Sequence, residues 1–289
     1  MRCFLHAAEL GVAGGEAGQH PCFGLPLLLE GFDCIVIAPR NIENTSEVYP
    51  IPLRMIGIDP HGFAEATRLF AKAIEMDPGY GFAHALLAMM YFRNWQNDFS
   101  NSNLALEKAY DLAKRAVELD SNESTCFSIL GLICLWRRSF DVAVQFLRRA
   151  SEINPNNQWN VADMGIVLMF VGESEAALAS FKRAKEIDPY FDPPWYWHCL
   201  GLANMLLQRY EEAVTAFERV PVPDYWTAAM MAGCYVQVKD VNHAAVSVAE
   251  CLGLRPDFSI SRRMAKEPFK NPADATHLAE CLQLAGLPE

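Results

Sequence analysis

The sequence lacks paired cysteine motifs. Nine cysteines occur in 289 residues, but the number is odd and no two of them are separated by only two residues. Disulfide frameworks and zinc sites both depend on paired spacing, so neither is indicated. We therefore predict reduced, mostly buried thiols, as in a cytoplasmic protein.

Long apolar runs and an excess of positive charge are also missing. The most apolar stretch, "PCFGLPLLLEGFDCIVIAP", is interrupted by Glu30 and Asp33 and falls short of the ~18 apolar residues of a membrane-spanning helix. The formal net charge is −11, whereas nucleic-acid binders normally present a basic face. No glycine-rich phosphate loop and no GxSxG motif occur. These absences argue against a membrane protein, a nucleic-acid binder and the common phosphate-binding or hydrolase sites.

A short sequence motif, in contrast, occurs four times. The alanines of its four copies are separated by 43, 34 and 34 residues, and a fixed step of 34 is typical of tandem helical hairpins. The copies are "KAIEMDPGY" (72–80), "RAVELDSNE" (115–123), "RASEINPNN" (149–157) and "RAKEIDPYF" (183–191).

Three of the four copies end a helix with the same internal pattern, and the second copy, which has Ser121 in place of proline, is weaker. In one unit Ala143, Leu147 and Ala150 are four and three residues apart, which places them on one helix face, and Pro155 follows. Proline ends the helix because it cannot donate the backbone hydrogen bond. A generic alanine-rich bundle is the alternative, but it would not keep its prolines in step at 34 residues.

A first helix precedes each of these second helices, and together they resemble the tetratricopeptide repeat over residues 47–257. The first helix carries a large apolar residue, then glycine or alanine, then another apolar residue three later, as in Leu130-Gly131-Cys134 and Met164-Gly165-Leu168. The resemblance implies an all-α fold, a right-handed superhelix (α-solenoid) of about six helical hairpins plus a C-terminal helix.

Residues 40–289 also resemble the C-terminal repeat region of bacterial class III adenylate or guanylate cyclases and of winged-helix regulators. The segments that carry this resemblance are "RNIENTSEVYPIPLRMIGIDPHGFAEATRLFAKAIEMDPGY", "PPWYWHCLGLANMLLQRYEEAV" and the closing "PFKNPAD…AGLPE". Those relatives carry several hundred residues upstream for catalysis or DNA binding, and only about 40 precede the repeats here. The resemblance therefore implies a truncated or detached regulatory arm as an alternative function.

We predict three parts of the chain. Residues 1–40 form a poorly ordered or small N-terminal segment, 41–257 the repeat array, and 258–289 a C-terminal capping segment with a helix. One repeat is several residues longer than the others, which predicts a longer loop near 94–103.

Stacked hairpins leave a concave groove lined by their first helices. At the lining positions of successive first helices the residues are apolar and aromatic, without the basic clamp that holds acidic chaperone tails. Such a lining calls for a cover, which could be an amphipathic helix or extended apolar peptide of a partner, the chain's own N-terminal segment or a second copy. The alternative is that many of these residues simply pack between tightly coiled helices. The predicted groove residues are Phe82, Met89, Phe92, Leu132, Trp136, Trp159, Ile166, Met169, Phe170, Trp195, His198, Leu202, Met205 and Trp226.

The predicted function is therefore a non-catalytic, bacterial, cytoplasmic scaffold for protein–protein interaction, with no cofactor and no metal. Its partner would be a protein or peptide, with a second copy of the chain as one candidate, and neither nucleic acid nor a membrane. His277 and Cys281 share a helix face and could begin a metal site, but no further ligand is evident. His198 and Cys199 are adjacent on a helix, which points their side chains about 100° apart.

Overall fold

The computed structural model describes residues 34–37, 49–52, 60–97 and 104–289. Two short strands, β1 (Cys34–Ile37) and β2 (Tyr49–Pro52), pair in antiparallel fashion, with Cys34 opposite Pro52 and Ile37 opposite Tyr49. They lie on either side of the predicted boundary at residue 40. The rest of the predicted segment 1–40 lies outside the described residues, so its character stays a prediction.

Thirteen helices are described in residues 60–97 and 104–289. They are α1 (Pro60–Met76), α2 (Gly81–Gln96), α3 (Leu104–Leu119), α4 (Ser124–Trp136), α5 (Phe140–Ile153), α6 (Gln158–Phe170), α7 (Ser174–Ile187), α8 (Pro194–Leu206), α9 (Tyr210–Phe217), α10 (Tyr225–Gln237), α11 (Val241–Leu254), α12 (Ile260–Lys266) and α13 (Pro272–Leu284).

The helices from α2 to α11 form five consecutive hairpins, α2–α3, α4–α5, α6–α7, α8–α9 and α10–α11. Helix α1 packs on α2 as the second helix of a preceding unit, which brings the number of units to six. Neighbouring units stack through their first helices. The predicted α-solenoid of about six hairpins is confirmed, and α12 and α13 follow it. The predicted long loop near 94–103 falls largely on residues 98–103, outside the described part.

The repeated residues hold each hairpin together by close packing. In α7 the side chains of Ala177, Phe181 and Ala184 are completely buried. A methyl group added to Gly165 of α6 would lie 2.8 Å from a ring carbon of Phe181, so only glycine leaves room for the ring. Gly201 of α8 makes the same close approach, with Phe217 as its partner. The glycine of the first helix and the aromatic residue of the second are therefore two halves of one contact.

The turns inside the four hairpins from α4–α5 to α10–α11 have a common geometry. One residue adopts a left-handed backbone, and the residue after it donates its amide to a carbonyl of the preceding helix, as from Ser139 to Cys134 at 2.9 Å. Glycine adopts this conformation without strain, whereas other residues do so at a cost of roughly 1 kcal/mol. The left-handed residues are Arg138 (φ 59°), Gly172 (φ 93°), Gln208 (φ 60°) and Lys239 (φ 65°).

Two further predictions concern the cysteines and a membrane span. The six cysteines in helices α4 to α13 are unpaired, buried thiols: Cys126, Cys134, Cys199, Cys234, Cys251 and Cys281. Of the helices described in residues 60–97 and 104–289, none combines the length and the apolar character needed to cross a bilayer.

Candidate functional site: the concave groove

The concave groove is formed by the first helices of the five complete hairpins, α2, α4, α6, α8 and α10. All fourteen predicted groove residues lie on these helices. Eight of them are buried and none is exposed. The half-buried ones are Phe82, Met89, Trp136, Trp159, Trp195 and His198.

Aromatic rings run in a line across successive units of the groove. Phe92 of α2 packs edge-on against Trp136 of α4, with ring centroids 5.1 Å apart, and Trp136 packs edge-on against Phe170 of α6 at 5.3 Å. The line continues to Phe269 at 5.0 Å from Phe170. Because Phe269 belongs to the end of the chain, the groove is in contact with a segment outside the array.

The three tryptophans at the starts of first helices behave differently. Trp159 and Trp195 pack on each other at 5.9 Å between centroids, and both pack on Phe191. Trp226 is 3% exposed and packs instead against Phe258 and the guanidinium of Arg263, which lies 4.8 Å from its ring centroid. Trp226 is therefore covered by residues that follow the last hairpin.

Residues 258–289, the C-terminal segment, lie along the groove. Its first helix, α12, reaches from the start of α10 to the end of α2. Arg263 of α12 donates to the hydroxyl of Tyr225 at 3.3 Å and to the carbonyl of Gln96 at 3.4 Å, and Lys266 donates to the carbonyl of Trp95 at 3.4 Å. These carbonyls end α2, where the helix dipole favours cations.

Arg138 holds the chain between α12 and α13. Its guanidinium donates to the carbonyls of Ala265 at 3.1 Å, Glu267 at 3.0 Å and Phe269 at 3.5 Å. The amide of Lys270 then donates to the carbonyl of Phe170 at 2.9 Å, at the end of α6. The left-handed backbone of Arg138 thus places its side chain against the C-terminal segment.

Helix α13 packs on the inner face of α10. A methyl group added to Gly233 would lie 3.4 Å from Cys281 of α13, and Gln237 donates its amide to the Cys281 sulfur at 3.4 Å. The side chains of Leu278 and Leu282 are completely buried. Cys281 also lies 3.9 Å from the Nε2 atom of His277, so these two side chains do share a face.

A buried ion pair lies within the C-terminal segment. Arg263 and Glu267 are one helical turn apart, their charged atoms are 2.5 Å apart, and their side chains are only 10% and 3% exposed. Burial raises the pKa of Glu267, and the charge of Arg263 opposes that shift. Taking two charges out of water costs several kcal/mol per ion, so the pair itself is weak evidence of stability.

Polar side chains of the array lie beneath this segment and are paired with one another. Asp163 of α6 accepts a hydrogen bond from the Ser128 hydroxyl of α4 at 2.7 Å. Burial raises the pKa of Asp163 to about 6, while the hydrogen bond from Ser128 and the charge of Arg93 act in the opposite direction.

A second polar chain joins α8 to α10. The Thr227 hydroxyl donates to Asp224 at 2.7 Å, so the Nδ1 atom of His198, 2.7 Å from that hydroxyl, must carry the proton and donate to it. Burial lowers the pKa of His198 to about 4, and the charges of Arg263 and Arg93 lower it further. The imidazole is therefore neutral at physiological pH and serves as a link between helices.

Two kinds of reactive group were considered at the groove, a cysteine nucleophile and a metal site. Burial raises the pKa of the Cys199 thiol to about 12, so it is not a thiolate at neutral pH. Within the described residues, no group of three or more His, Cys, Asp or Glu side chains is placed to hold a metal ion.

All fourteen predicted groove residues lie on first helices, and their role in binding a partner stays a prediction. The covers expected from the sequence were a partner segment, the chain's own N-terminal segment or a second copy, whereas the described residues in contact with the groove belong to the C-terminal segment. Arg138 and Phe269 were not singled out as groove residues. One signal was available: residues 258–270 carry four Lys or Arg and one Glu, a net charge of +3 in a chain of net charge −11.

Comparison with known proteins finds no matching family model and no matching curated protein. Solved structures do match. A chain of the APC/C hetero-tetramer Cut9–Hcn1 aligns over 73% of this chain with a TM-score of 0.59 and 19% identity, and the match spans 40% of that longer chain. PilW, a type IV pilus biogenesis factor, aligns over 68% of this chain and 88% of its own, with a TM-score of 0.51 and 18% identity.

A third match is YrrB, described as a TPR protein with an unusual peptide-binding site, at a TM-score of 0.41 and 19% identity over 66% of this chain and 94% of its own. At these identities the likeness concerns the fold alone. The 34-residue repeat and the stacked hairpins, together with the likeness to the Cut9–Hcn1 chain and to PilW, mean that the chain has the tetratricopeptide-repeat fold.

Proposed function

We propose that this chain is a non-catalytic scaffold for protein–protein interaction, and that its concave groove binds a helical segment of a partner protein. The main support is the packing of the C-terminal segment: its helix α13 lies on α10, with Leu278 and Leu282 completely buried. A groove that accommodates this helix has the width and the apolar lining for another of the same kind. The fourteen predicted groove residues are the proposed binding surface.

The chemistry of the occupant indicates the chemistry of the partner. Residues 258–270 are basic, and they precede an amphipathic helix whose buried face carries leucines and a cysteine. The rest of the chain carries the negative excess, so a basic stretch is attracted to it at long range. We expect a partner with a short basic stretch followed by an amphipathic helix of about three to four turns.

The test uses a synthetic peptide of residues 257–289 with a photoactivatable leucine in place of Leu278, added to the full chain. If the groove binds such a helix, cross-links should fall on α8 and α10, near Met205 and Gly233, which lie beside α13. A peptide that also carries Leu284→Asp should cross-link equally, because Leu284 is 64% exposed, whereas Leu282→Asp should abolish the cross-link. Cross-links confined to the outer surface of the hairpins would contradict the proposal.

The alternative function is a regulatory arm of a cyclase-type or transcription-regulator protein. It is supported by the sequence resemblance over residues 40–289 and predicts a reading frame for a cyclase or winged-helix domain in the DNA upstream of the Met1 codon. A measured nucleotide cyclase activity of the isolated chain would contradict both functions, since each assigns no catalysis to these residues.

A further inference from the structure

We propose that residues 260–289 are an exchangeable occupant of the groove: they leave it as one unit while the hairpins stay folded, and the partner helix takes their place. This inference rests on the proposed function and adds regulation to it, because the groove would accept a partner only when the chain's own segment is out. Four features of the contacts support exchange.

The first is that both members of the buried ion pair belong to the segment. Arg263 and Glu267 lie one turn apart on α12 and its end, so they leave together and neither is left buried without its counter-ion. Breaking a buried pair by removing one partner is strongly destabilising, whereas hydrating both charges returns the free energy spent on desolvating them. Undocking therefore avoids the largest electrostatic penalty that such a pair could impose.

The second is that several of the polar groups left behind already have partners within the array, although side-chain atoms of Asn94 and Asn160 are buried without one. Asp163 is bonded to Ser128, and His198 is linked through Thr227 to Asp224. The guanidinium of Arg93 donates to the Gln96 side chain at 2.8 Å. An empty groove would therefore expose groups that already have partners, and water could reach them without a rearrangement.

The third is that several hydrogen bonds between array and segment engage backbone on one side, beside others that join two side chains, such as Lys270 to Asp141. Arg138 donates to three carbonyls of the segment, and Lys266 donates to a carbonyl of the array. The Lys270 amide donates to the Phe170 carbonyl. Backbone groups occur in any chain, so a helix from another protein could use the same donors and acceptors.

The fourth is that the segment is closed on itself and joined to the array at one end. The amide of Ile260 donates to the carbonyl of Pro288 at 2.9 Å, which ties the start of α12 to the end of the chain. A five-residue connection, 255–259, links it to α11. Phe258 of that connection packs on Tyr225 and Trp226 and would remain as an anchor.

The experiment compares two substitutions in α13 of the full chain. Leu282→Asp places a charge at a completely buried position, and Leu284→Asp places the same charge two residues away, at a side chain that is 64% exposed. Three quantities are measured: the rate of tryptic cleavage after Arg262, Arg263, Lys266 and Lys270, the helix content by circular dichroism, and the Kd of a fluorescent peptide of residues 257–289.

Exchange predicts that Leu282→Asp speeds cleavage at these sites at least tenfold and loses no more helix than the 7 and 13 residues of α12 and α13. It also predicts that the peptide binds this variant at least tenfold more tightly than it binds the wild type or Leu284→Asp. Loss of the array helices together with the segment would contradict the proposal that the segment leaves as one unit, but it would not contradict the proposal that the groove binds a partner helix. A cleaved segment, an intact array and no peptide binding would instead overturn the proposed function, and exchange with it.

A measurement on the unaltered chain keeps the inference testable if Leu282→Asp does not fold. In hydrogen exchange, the amides of α12 and α13 should exchange together, at least tenfold faster than the central amides of α5 and α7. Equal protection of the segment and the central hairpins would mean that they open only by global unfolding. The proposal that the segment leaves the groove on its own would then be wrong.

Discussion

The hairpin array and the C-terminal segment bury their side chains in different ways. In the array several second helices present a large buried apolar residue to the glycine of their own first helix, as Phe181 does to Gly165 and Leu147 does to Gly131. The C-terminal segment makes several contacts that span 99 to 171 residues of sequence, through single arginines, lysines and one phenylalanine.

The two parts differ in whether their contacts are repeated along the sequence. The contact inside a hairpin recurs in several units, and each unit depends mainly on its neighbours. A contact between the array and the C-terminal segment occurs once, between side chains that could each have many other partners. The array should therefore be robust and cooperative, and the segment should depend on a few particular groups.

The largest expected effect is on the array. Phe181→Ala removes a completely buried ring between α6, α7 and Tyr196, and the cavity cannot collapse because the surrounding backbone belongs to stacked helices. We expect the free energy of unfolding to fall by about 3–5 kcal/mol in urea denaturation followed by circular dichroism.

The matched control for Phe181→Ala is Tyr190→Ala, an aromatic residue in the same unit that is 92% exposed. Its substitution should change the free energy of unfolding by less than about 0.5 kcal/mol. Comparable losses for the two variants would mean that the hairpin contact does not carry the stability of the array.

The difference between repeated local contacts and single long-range contacts also explains which parts of the structure could be predicted from the sequence. The alanines, glycines and prolines at 34-residue spacing were sufficient to predict the hairpins and their order, whereas the lining of the groove stays a prediction. Glu267 and Arg263 carry no repeat signal, and their charges favour an exposed surface in any reading of a single sequence. Only the fold brings Phe269 to Phe170, so the cover of the groove could not be assigned.

A pH experiment probes the interface between the two regions. Asp163 lies beneath the C-terminal segment with its pKa raised to about 6 from an ordinary value of 3.8. Since the folded state holds this proton more tightly than the unfolded state, the stabilisation is complete below about pH 4 and is lost as the pH rises through 6. Relative to Asp163→Asn, the wild type should therefore lose about 2–3 kcal/mol of unfolding free energy between pH 4 and 7.

The control for that experiment is Asp111→Asn, which removes one exposed carboxyl group of α3. Its unfolding free energy should follow that of the wild type across the same pH range to within about 0.5 kcal/mol. A constant difference between wild type and Asp163→Asn would show that the burial of Asp163 does not affect its protonation.

A smaller effect is expected at Arg138, which acts on the segment alone. Arg138→Ala keeps the Cβ atom of the left-handed residue and removes the donors to three carbonyls. Because this guanidinium is partly exposed, we expect a loss of about 1–2 kcal/mol in the docking of the segment. Hydrogen exchange should show about tenfold faster exchange in α12, with α7 unchanged.

Lys239→Ala is the matched control for Arg138→Ala. Lys239 occupies the same left-handed position in the last hairpin, with φ 65°, and its side chain is exposed. Equal exchange rates of α12 in the two variants would contradict a holding role for the Arg138 guanidinium.

The smallest effect should come from the charged pairs that join successive units on the outside. Arg209 donates to Glu175 of the preceding unit, 34 residues earlier, but the two side chains are 43% and 65% exposed. Water and salt screen such a pair, so Glu175→Gln should lower the free energy of unfolding by less than about 0.5 kcal/mol, and 0.5 M NaCl should remove even that difference. A loss of 2 kcal/mol or more would mean that surface charges, rather than the buried contacts repeated in each hairpin, hold successive units together.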